Sequence, residues 1–184
     1  MTIVIDDHIS LELIAAKHAE PLYAIINSNR THLSKFLPWV ESMQSVEDFS
    51  SYINNSELLH QQRKELSFAI LLDKIPVGKI GLHYINHQDK NASVGYWLSK
   101  NAEGKGIISI SCKALIEYGF QALNLHRIEI KVATGNLKSQ AIAERLHFKK
   151  EAVLRQAEWV NNQFHDLLIY SILDFEWAEK CKRQ

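Results

Sequence analysis

The chain has 184 residues, a length typical of one ordinary domain, so we expect a single domain over residues 1–184. Its 21 lysines and arginines balance 21 aspartates and glutamates, and this zero net charge argues against a nucleic-acid-binding protein, which needs a basic face to neutralise phosphates. Apolar residues make up 46% of the chain and charged residues 23%, a balance that excludes a disordered chain.

Cysteine usage and the first residues bear on location. The chain has only two cysteines, Cys112 and Cys181, which is too few to stabilise a domain of this size by disulfide bonds. They also lack the paired spacing of zinc or redox sites. Residues 1–8 contain no basic region ahead of a long apolar run, and no stretch approaches the about 20 apolar residues needed to cross a bilayer. We therefore expect a cytoplasmic protein without a metal site.

The first third of the chain is predicted to be mostly helical. Residues 9–14 alternate apolar and polar side chains, which is typical of a half-buried strand. Helical spacing predicts a helix over 17–29, followed at 31–44 by a short helix and a turn, where a proline interrupts the pattern. A Ser-x-x-acid capping box that starts at Ser45 predicts a further helix ending near Lys64.

Strands dominate the middle of the chain. Three β-type segments, 67–72, 77–85 and 92–99, are separated by short turns, which implies antiparallel neighbours. Residues 104–123 then read as one helix with apolar side chains on most of its surface. We expect that helix to be largely buried.

The last third adds strands around one helix. Strict alternation over 126–132 predicts a strand, and a helix over about 137–146 and two strands near 148–158 and 166–173 complete the chain. Because a long helix joins strands 92–99 and 126–132, these two strands should be parallel across a right-handed crossover. The sheet should therefore be mixed.

Two of only seven glycines lie at the start of the buried helix, in Glu103-Gly104-Lys105-Gly106. Free N–H groups of a first helical turn favour an anion, and glycines let a phosphate approach the backbone. The alternative is a tight turn that merely needs positive φ. A P-loop is excluded because no Ser or Thr follows the lysine, and a dinucleotide fingerprint because Ser109 takes the place of its third glycine.

The residues of this turn resemble the GCN5-related N-acetyltransferase (GNAT) superfamily. Its signature, Arg/Gln-x-x-Gly-x-Gly/Ala, is matched by Asn101-Ala-Glu-Gly104-Lys-Gly106 except at Asn101. His147 is a second departure, where many members have glycine. The resemblance spans residues 9 to 175 and is carried by the segments 104–109, 125–129, 136–139 and 144–148.

The stretch from Leu154 to Asn161, with His165, Asp166 and Tyr170, is similar to one branch of that superfamily. This branch contains the RimJ/RimL-type ribosomal-protein N-terminal acetyltransferases, and the similarity is greatest to RimL. Because many paralogues with other substrates share these residues, the branch alone does not define the acceptor.

The resemblance implies an acetyl-CoA-dependent N-acetyltransferase with an α/β (α+β) fold. Its mixed, mostly antiparallel sheet would have six to seven strands, helices on both faces and a splay between the fourth and fifth strands. A backbone N–H near Leu98 would be the oxyanion donor. The implied residues that bind coenzyme A are Trp97, Leu98, Gly104, Lys105, Gly106, Ile107, Ile108 and Asn136.

Three downstream residues matter for the chemistry. From the sequence alone, Asn136 reads as a helix N-cap with Ser139 in the first turn, and capping would explain both. By resemblance, Asn136 lines the coenzyme A arm and Ser139 points at the sulfur, where its hydroxyl could protonate or hydrogen-bond the leaving thiolate. Glu158 falls where RimL-like enzymes have their proposed general base, whereas an ordinary glutamate would be a surface carboxylate.

The acceptor amine is the least defined part. An α-amino group has a pKa of about 7.7–8.0 and a lysine of about 10.4, so an N-terminus is easier to deprotonate at neutral pH. The resemblance implies a protein N-terminus that begins with Ser or Ala, such as that of a ribosomal protein, and a homodimer. Two alternatives stay open: a small amine such as a polyamine or an antibiotic, and a coenzyme A-binding module without catalysis. Trp39 and Trp159 are candidate walls of an acceptor groove, with packing as the alternative.

Overall fold

A mixed sheet of eight strands organises the computed structural model, which describes residues 1–181. All neighbouring strands are antiparallel except the fifth and sixth, which are parallel. Along the sheet their order is β1-β2-β3-β4-β5-β6-β8-β7. The strands are β1 (Thr2–Val4), β2 (Ile9–Leu13), β3 (Leu66–Leu72), β4 (Ile75–Asn86), β5 (Asn91–Leu98), β6 (Arg127–Ala133), β7 (Lys149–Val160) and β8 (Gln163–Leu173).

The helices follow the predicted order, with short 3₁₀ turns at Ala16–His18, Pro38–Glu41 and Lys100–Ala102. They are α1 (Ala19–Ser28), α2 (Arg30–Leu33), α3 (Val46–Gln61), α4 (Ile107–Gln121), α5 (Leu137–Arg145) and α6 (Asp174–Cys181). Within residues 1–181 no helix is long and apolar enough to cross a membrane.

The predicted mixed, mostly antiparallel sheet is confirmed, but it has eight strands rather than six to seven. Strand β1 was not expected, because three residues are too few to show a period. Helix α6 was not expected either, since it continues directly from β8 without a break in the apolar pattern. Helix α4 begins at Ile107 rather than at residue 104, because Gly104 and Gly106 both have positive φ.

Helices cover both faces of the sheet, as predicted. Successive residues of β3 point to opposite faces. Phe68 and Ile70 pack in the core cluster of α4, whereas Ala69 and Leu71 pack in the cluster of α1 and α3. Helix α4 is largely buried, and its only exposed residues are Lys113 and Gln121.

The parallel strands β5 and β6 pair over a short distance only. Their register runs from Asn91 opposite Arg127 to Ser93 opposite Glu129. Beyond Ser93, β5 continues to Leu98 and β6 to Ala133 without further pairs between them. The fourth and fifth predicted strands, 92–99 and 126–132, are β5 and β6 because β1 was not predicted, so the predicted splay between them is confirmed. It leaves a gap that opens towards the carboxyl ends of both strands.

Candidate active site

The turn between β5 and α4 flanks the open end of this gap. Gly104 and Gly106 have φ angles of 77° and 75°, and Gly106 is the N-cap of α4. These angles lie in the left-handed region, which costs other residues roughly 1–2 kcal/mol. No atom lies within 4 Å of the position that a Cβ would take at either glycine. The two glycines therefore allow the left-handed conformation of the turn, and they leave space for a ligand to reach its backbone.

The N–H groups of residues 104–109 have no hydrogen-bond acceptor within the described part of the chain, and the first bond of α4 runs from Ile110 N to Gly106 O at 3.1 Å. Unpaired amides at the N-terminus of a 15-residue helix favour an anion. Lys105 is exposed. The Arg145 guanidinium on α5 donates a hydrogen bond to Ser109 Oγ on α4 at 2.8 Å. Since the side chains of Ile107 and Ile108 are buried, these two residues offer only backbone groups.

Glu103 places a negative charge beside this turn, and two basic side chains contact it. His32 Nε2 on α2 lies 2.9 Å from Glu103 Oε1, and Lys138 Nζ on α5 lies 2.5 Å from Oε2. Partial burial acts to raise the pKa of Glu103, but the Lys138 hydrogen bond and the His32 ring hold that pKa below its usual value. The carboxylate therefore stays ionised and joins three separate segments.

The loop between β6 and α5 lies on the other side of the gap. Asn136 is the N-cap of α5, and its Oδ1 accepts a hydrogen bond from Ser139 N at 3.2 Å. The predicted capping is confirmed. Ser139 is partly buried, and its side chain lies beside the Tyr96 hydroxyl of β5.

Glu158 lies on β7 opposite His165 of β8, after a bulge. Leu154 pairs with Leu167 and Glu158 with His165, so residues 155–157 face Asp166 alone. The Gln156 N–H donates to Asp166 Oδ1 at 2.7 Å, and Gln156 has a φ of 50°. Bulges of this kind redirect the side chains that follow them.

Glu158 is partly buried, whereas the seven residues before it are exposed. Burial raises the pKa of the Glu158 carboxyl, and the charge of His165 acts in the opposite direction. A carboxylate with a raised pKa is a better proton acceptor near neutral pH than an exposed glutamate.

Three contacts bring the Glu158 hairpin and the Ser139 loop to the same end of the sheet. Asn161 Nδ2, in the β7–β8 turn, donates to Ser34 O at 2.9 Å. Thr134 N donates to Asp166 O at 3.0 Å. The Phe36 ring lies 3.7 Å from the position that a Cβ would take at Gly135.

The predicted aromatic residues do not form one group. Trp97 points to the face of α1 and α3, where its ring centre lies 6.2 Å from that of Trp39. Trp159 is half exposed and packs edge-on against Phe164 at 4.6 Å. Trp97 can therefore serve a ligand on the α4 face only through its backbone, whereas Leu98 is buried in the cluster of α4.

Two histidines, one near the end of β4 and one in the turn after it, have partners within the chain. His83 Nδ1 lies 3.1 Å from Glu65 Oε2, and His87 Nε2 lies 2.9 Å from Arg63 O. The described residues contain no group of three side chains that could hold a metal ion.

Sequence reasoning missed three residues of the site: Tyr96, Glu103 as the bridging carboxylate, and Asp166 as the residue that fixes the bulge. The partners of Tyr96 and Glu103 lie far away in the chain, and the partner of Asp166 lies across the β7–β8 hairpin. No local pattern marks them, although Glu103 stands directly before the glycine turn.

A family model of the acetyltransferase (GNAT) domain matches residues 8–149. The chain belongs to the GNAT family. As a GNAT enzyme it is an acetyl-CoA-dependent N-acetyltransferase. It is 34% identical over 170 residues to the ribosomal-protein-serine acetyltransferase of Escherichia coli strain K12, over 92% of this chain and 95% of that protein.

Solved structures of GNAT enzymes have the same fold. The ribosomal L7/L12 alpha-N-protein acetyltransferase RimL in complex with coenzyme A matches with a TM-score of 0.92 and 28% identity, over 94% of this chain and 98% of that one. The microcin C7 self-immunity acetyltransferase MccE, in complex with acetyl-CoA and AMP, matches with a TM-score of 0.88 and 36% identity, over 92% of this chain and 94% of that one. The resemblance to the ribosomal-protein acetyltransferase branch is confirmed.

The glycine turn provides a first prediction. Gly106→Ala should weaken coenzyme A binding by at least about tenfold, because a methyl group would enter the open space over the free amides and strain the turn by roughly 1–2 kcal/mol. Calorimetric titration measures the affinity. Gly135→Ala is the control for a glycine-to-alanine change, since a Cβ there meets only Phe36 at an ordinary distance. Unchanged affinity in Gly106→Ala would contradict the prediction that coenzyme A binds at this turn.

Proposed function

We propose that this GNAT enzyme transfers the acetyl group of acetyl-CoA directly to the N-terminal α-amine of a protein, with a ribosomal protein as the leading candidate. The observation that supports this proposal is a partly buried carboxylate, Glu158, whose pKa is raised by burial and which lies on the β7–β8 hairpin that contacts the β6–α5 loop. The names of the RimL and Escherichia coli relatives support it. A cytoplasmic location and a homodimer belong to the same proposal.

The donor would be held along the gap. The amides of Gly104 to Ile108, with Lys105, would bind the coenzyme A pyrophosphate. Asn136 would line the pantetheine arm, and the unpaired edge of β5 at Trp97 and Leu98 would hydrogen-bond that arm. A β5 N–H near Leu98 would stabilise the oxyanion, a contact worth about 3–4 kcal/mol in enzymes.

One side chain would accept the proton of the amine, and a second would stabilise the leaving thiolate. Glu158 accepts the proton that the amine loses as the new C–N bond forms. The Ser139 hydroxyl hydrogen-bonds the thiolate as the C–S bond breaks, and the positive end of α5 favours that thiolate as well. Because the amine must enter from the side opposite the donor, the acceptor would approach over the α1–α3 face of the sheet.

An α-amine fits this arrangement better than a lysine. Deprotonating a lysine at neutral pH costs roughly 3.5 kcal/mol more than deprotonating an N-terminus. Glu158 is the one carboxylate that we place at the reacting centre, since Glu103 is engaged by His32 and Lys138. A single base with a moderately raised pKa suits the less basic amine.

A small-amine acceptor is the second candidate, and the match to MccE favours it. Lys79 argues against a polyamine in particular. Its side chain is buried on the α1–α3 face beside Trp97, and its ammonium lies 5.1 Å from the centre of the Tyr52 ring. A fixed positive charge at this place repels a polycation.

An acceptor panel tests the choice. We expect peptides with N-terminal Ser or Ala to be acetylated with a kcat/KM at least about tenfold above that of spermidine, an aminoglycoside or the same peptides with blocked N-termini and an internal lysine. Thiol release from acetyl-CoA measures turnover. Mass spectrometry of protein N-termini, in cells with and without this enzyme, identifies the natural acceptor. A preference for a small amine in the panel, together with unchanged N-terminal acetylation in cells without the enzyme, would replace the first candidate with the second.

Glu158→Gln tests the base. Turnover should fall by about 10²–10⁴-fold, the usual contribution of a general base. Burial raises the folded-state pKa of Glu158, so its ionisation opposes folding as the pH rises through that pKa. The variant should therefore keep or raise Tm at pH 7 while it loses activity. Thermal melts and steady-state rates across pH measure both effects.

The matched control for this variant is Glu117→Gln, because Glu117 lies on α4 and contacts only Gln121 among the described hydrogen bonds. It should leave turnover unchanged. Undiminished turnover in Glu158→Gln would remove Glu158 from the mechanism.

A further inference from the structure

Lys79 of β4 carries an ammonium that no carboxylate of residues 1–181 contacts. The residue is only 6% exposed, and its ammonium lies 5.1 Å from the centre of the Tyr52 ring. Within the same residues the ammonium forms neither an ion pair nor a hydrogen bond. Lysines are almost never buried to this degree unless they are paired. The ammonium therefore calls for an anion from outside the chain.

The charged end of Lys79 is open to a ligand. In the described part of the chain, the closed-off side-chain nitrogen and oxygen atoms that lack a hydrogen-bond partner belong to Tyr96, Ser111 and Trp177. The Lys79 ammonium also lacks such a partner but is not one of these atoms, so it reaches the surface. Tyr52 beside it is only partly buried. The buried part of Lys79 is therefore its aliphatic stem, as is common for long basic side chains.

Glu65, an acid on the same face, is already engaged by other groups. Its Oε2 lies 3.1 Å from His83 Nδ1, and its Oε1 accepts hydrogen bonds from the hydroxyls of Ser56 and Ser67. Burial lowers the pKa of His83, and the positive charge of Lys79 acts in the same direction. The α1–α3 face therefore carries a positive charge at Lys79 that Glu65 does not neutralise.

Strand register places Lys79 next to the proposed reacting centre. Lys79 pairs with Trp97 in the antiparallel β4–β5 ladder, and the neighbouring pair is Gly78 with Leu98. Facing residues in such a ladder have Cα atoms about 5 Å apart. An amine that approaches over the α1–α3 face towards Leu98 would bring the next one or two residues of its chain to the ammonium.

We propose that Lys79 binds a carboxylate that the acceptor carries close to its amine, so that the preferred acceptor is a protein N-terminus with an acidic second or third residue. This inference rests on the proposed function, because it takes a protein N-terminus that enters over the α1–α3 face. A carboxylate on the ammonium forms a charge-assisted hydrogen bond, which is stronger in a partly buried place than in water. Since the contact is the same before and during acetyl transfer, it lowers KM and leaves kcat unchanged.

The test uses peptides that begin with Ser and carry either Asp or its neutral isostere Asn at the second or the third residue. The parent enzyme should acetylate one of the Asp peptides with a kcat/KM at least about tenfold above that of its Asn counterpart. In Lys79→Met, which keeps an unbranched stem and removes the charge, the KM of that Asp peptide should rise about tenfold with little change in kcat. Any effect of Asp on the pKa of the amine itself is the same for both proteins. Thiol release from acetyl-CoA measures the rates.

Lys64→Met is the matched control, because Lys64 is exposed in the turn between α3 and β3. It removes the same charge from the chain and should leave the preference for Asp unchanged. Thermal melts separate substrate binding from packing. Lys79→Met removes a largely buried ammonium that has no carboxylate partner, so it should melt at the same or a higher temperature than the parent. A lysine that only packs against Tyr52 would instead lower the melting temperature on substitution and leave the Asp-to-Asn ratio as it was.

The outcomes are distinct. Equal kcat/KM for the Asp and Asn peptides at both positions in the parent enzyme, which needs no variant to measure, overturns the contact between Lys79 and the acceptor. A preference for Asp that survives in Lys79→Met overturns it as well. Failure of the parent enzyme to acetylate any of these N-termini contradicts the proposed function instead.

Discussion

The short parallel pairing of β5 with β6 is the constraint on which the site depends. Three paired residues hold the two strands together at one end, and their divergence then exposes one edge of β5. A parallel pair requires a crossover connection, which here contains α4. Because α4 follows β5 in the chain, its N-terminus lies near the carboxyl end of β5. The anion-binding turn, the β5 backbone and the β6–α5 loop therefore meet at one opening for topological reasons.

Several polar groups at this opening have partners within the chain. Asn136 caps α5, the Asp166 carboxylate accepts the Gln156 N–H in the bulge, and Glu103 is contacted by His32 and Lys138. Within residues 1–181, the amides of the glycine turn are left without partners. They are hydrogen-bond donors, which matches the chemistry of a ligand with anionic phosphates.

Local sequence patterns were enough to predict much of the fold and of the candidate site. The glycine turn, the cap at Asn136 and the parallel crossover follow from residues close together in the chain. The partners of Glu103 could not be predicted, because His32 is 71 residues away in the chain. The bulge at Gln156 could not be predicted either, because it depends on a hydrogen bond to Asp166 on the facing strand. Strand β1 also escaped prediction, since it is defined by its pairing with β2 and not by its own three side chains.

The bridge from His32 through Glu103 to Lys138 has a thermodynamic consequence. It ties α2 and α5 to the glycine turn. A ligand that shifted this carboxylate would change the free energy of these segments at once, so the binding of a second ligand at a neighbouring segment would be coupled to it. By linkage, any factor by which the donor alters acceptor affinity is the same factor by which the acceptor alters donor affinity. Such coupling appears in kinetics as an apparent KM for one substrate that changes with the concentration of the other.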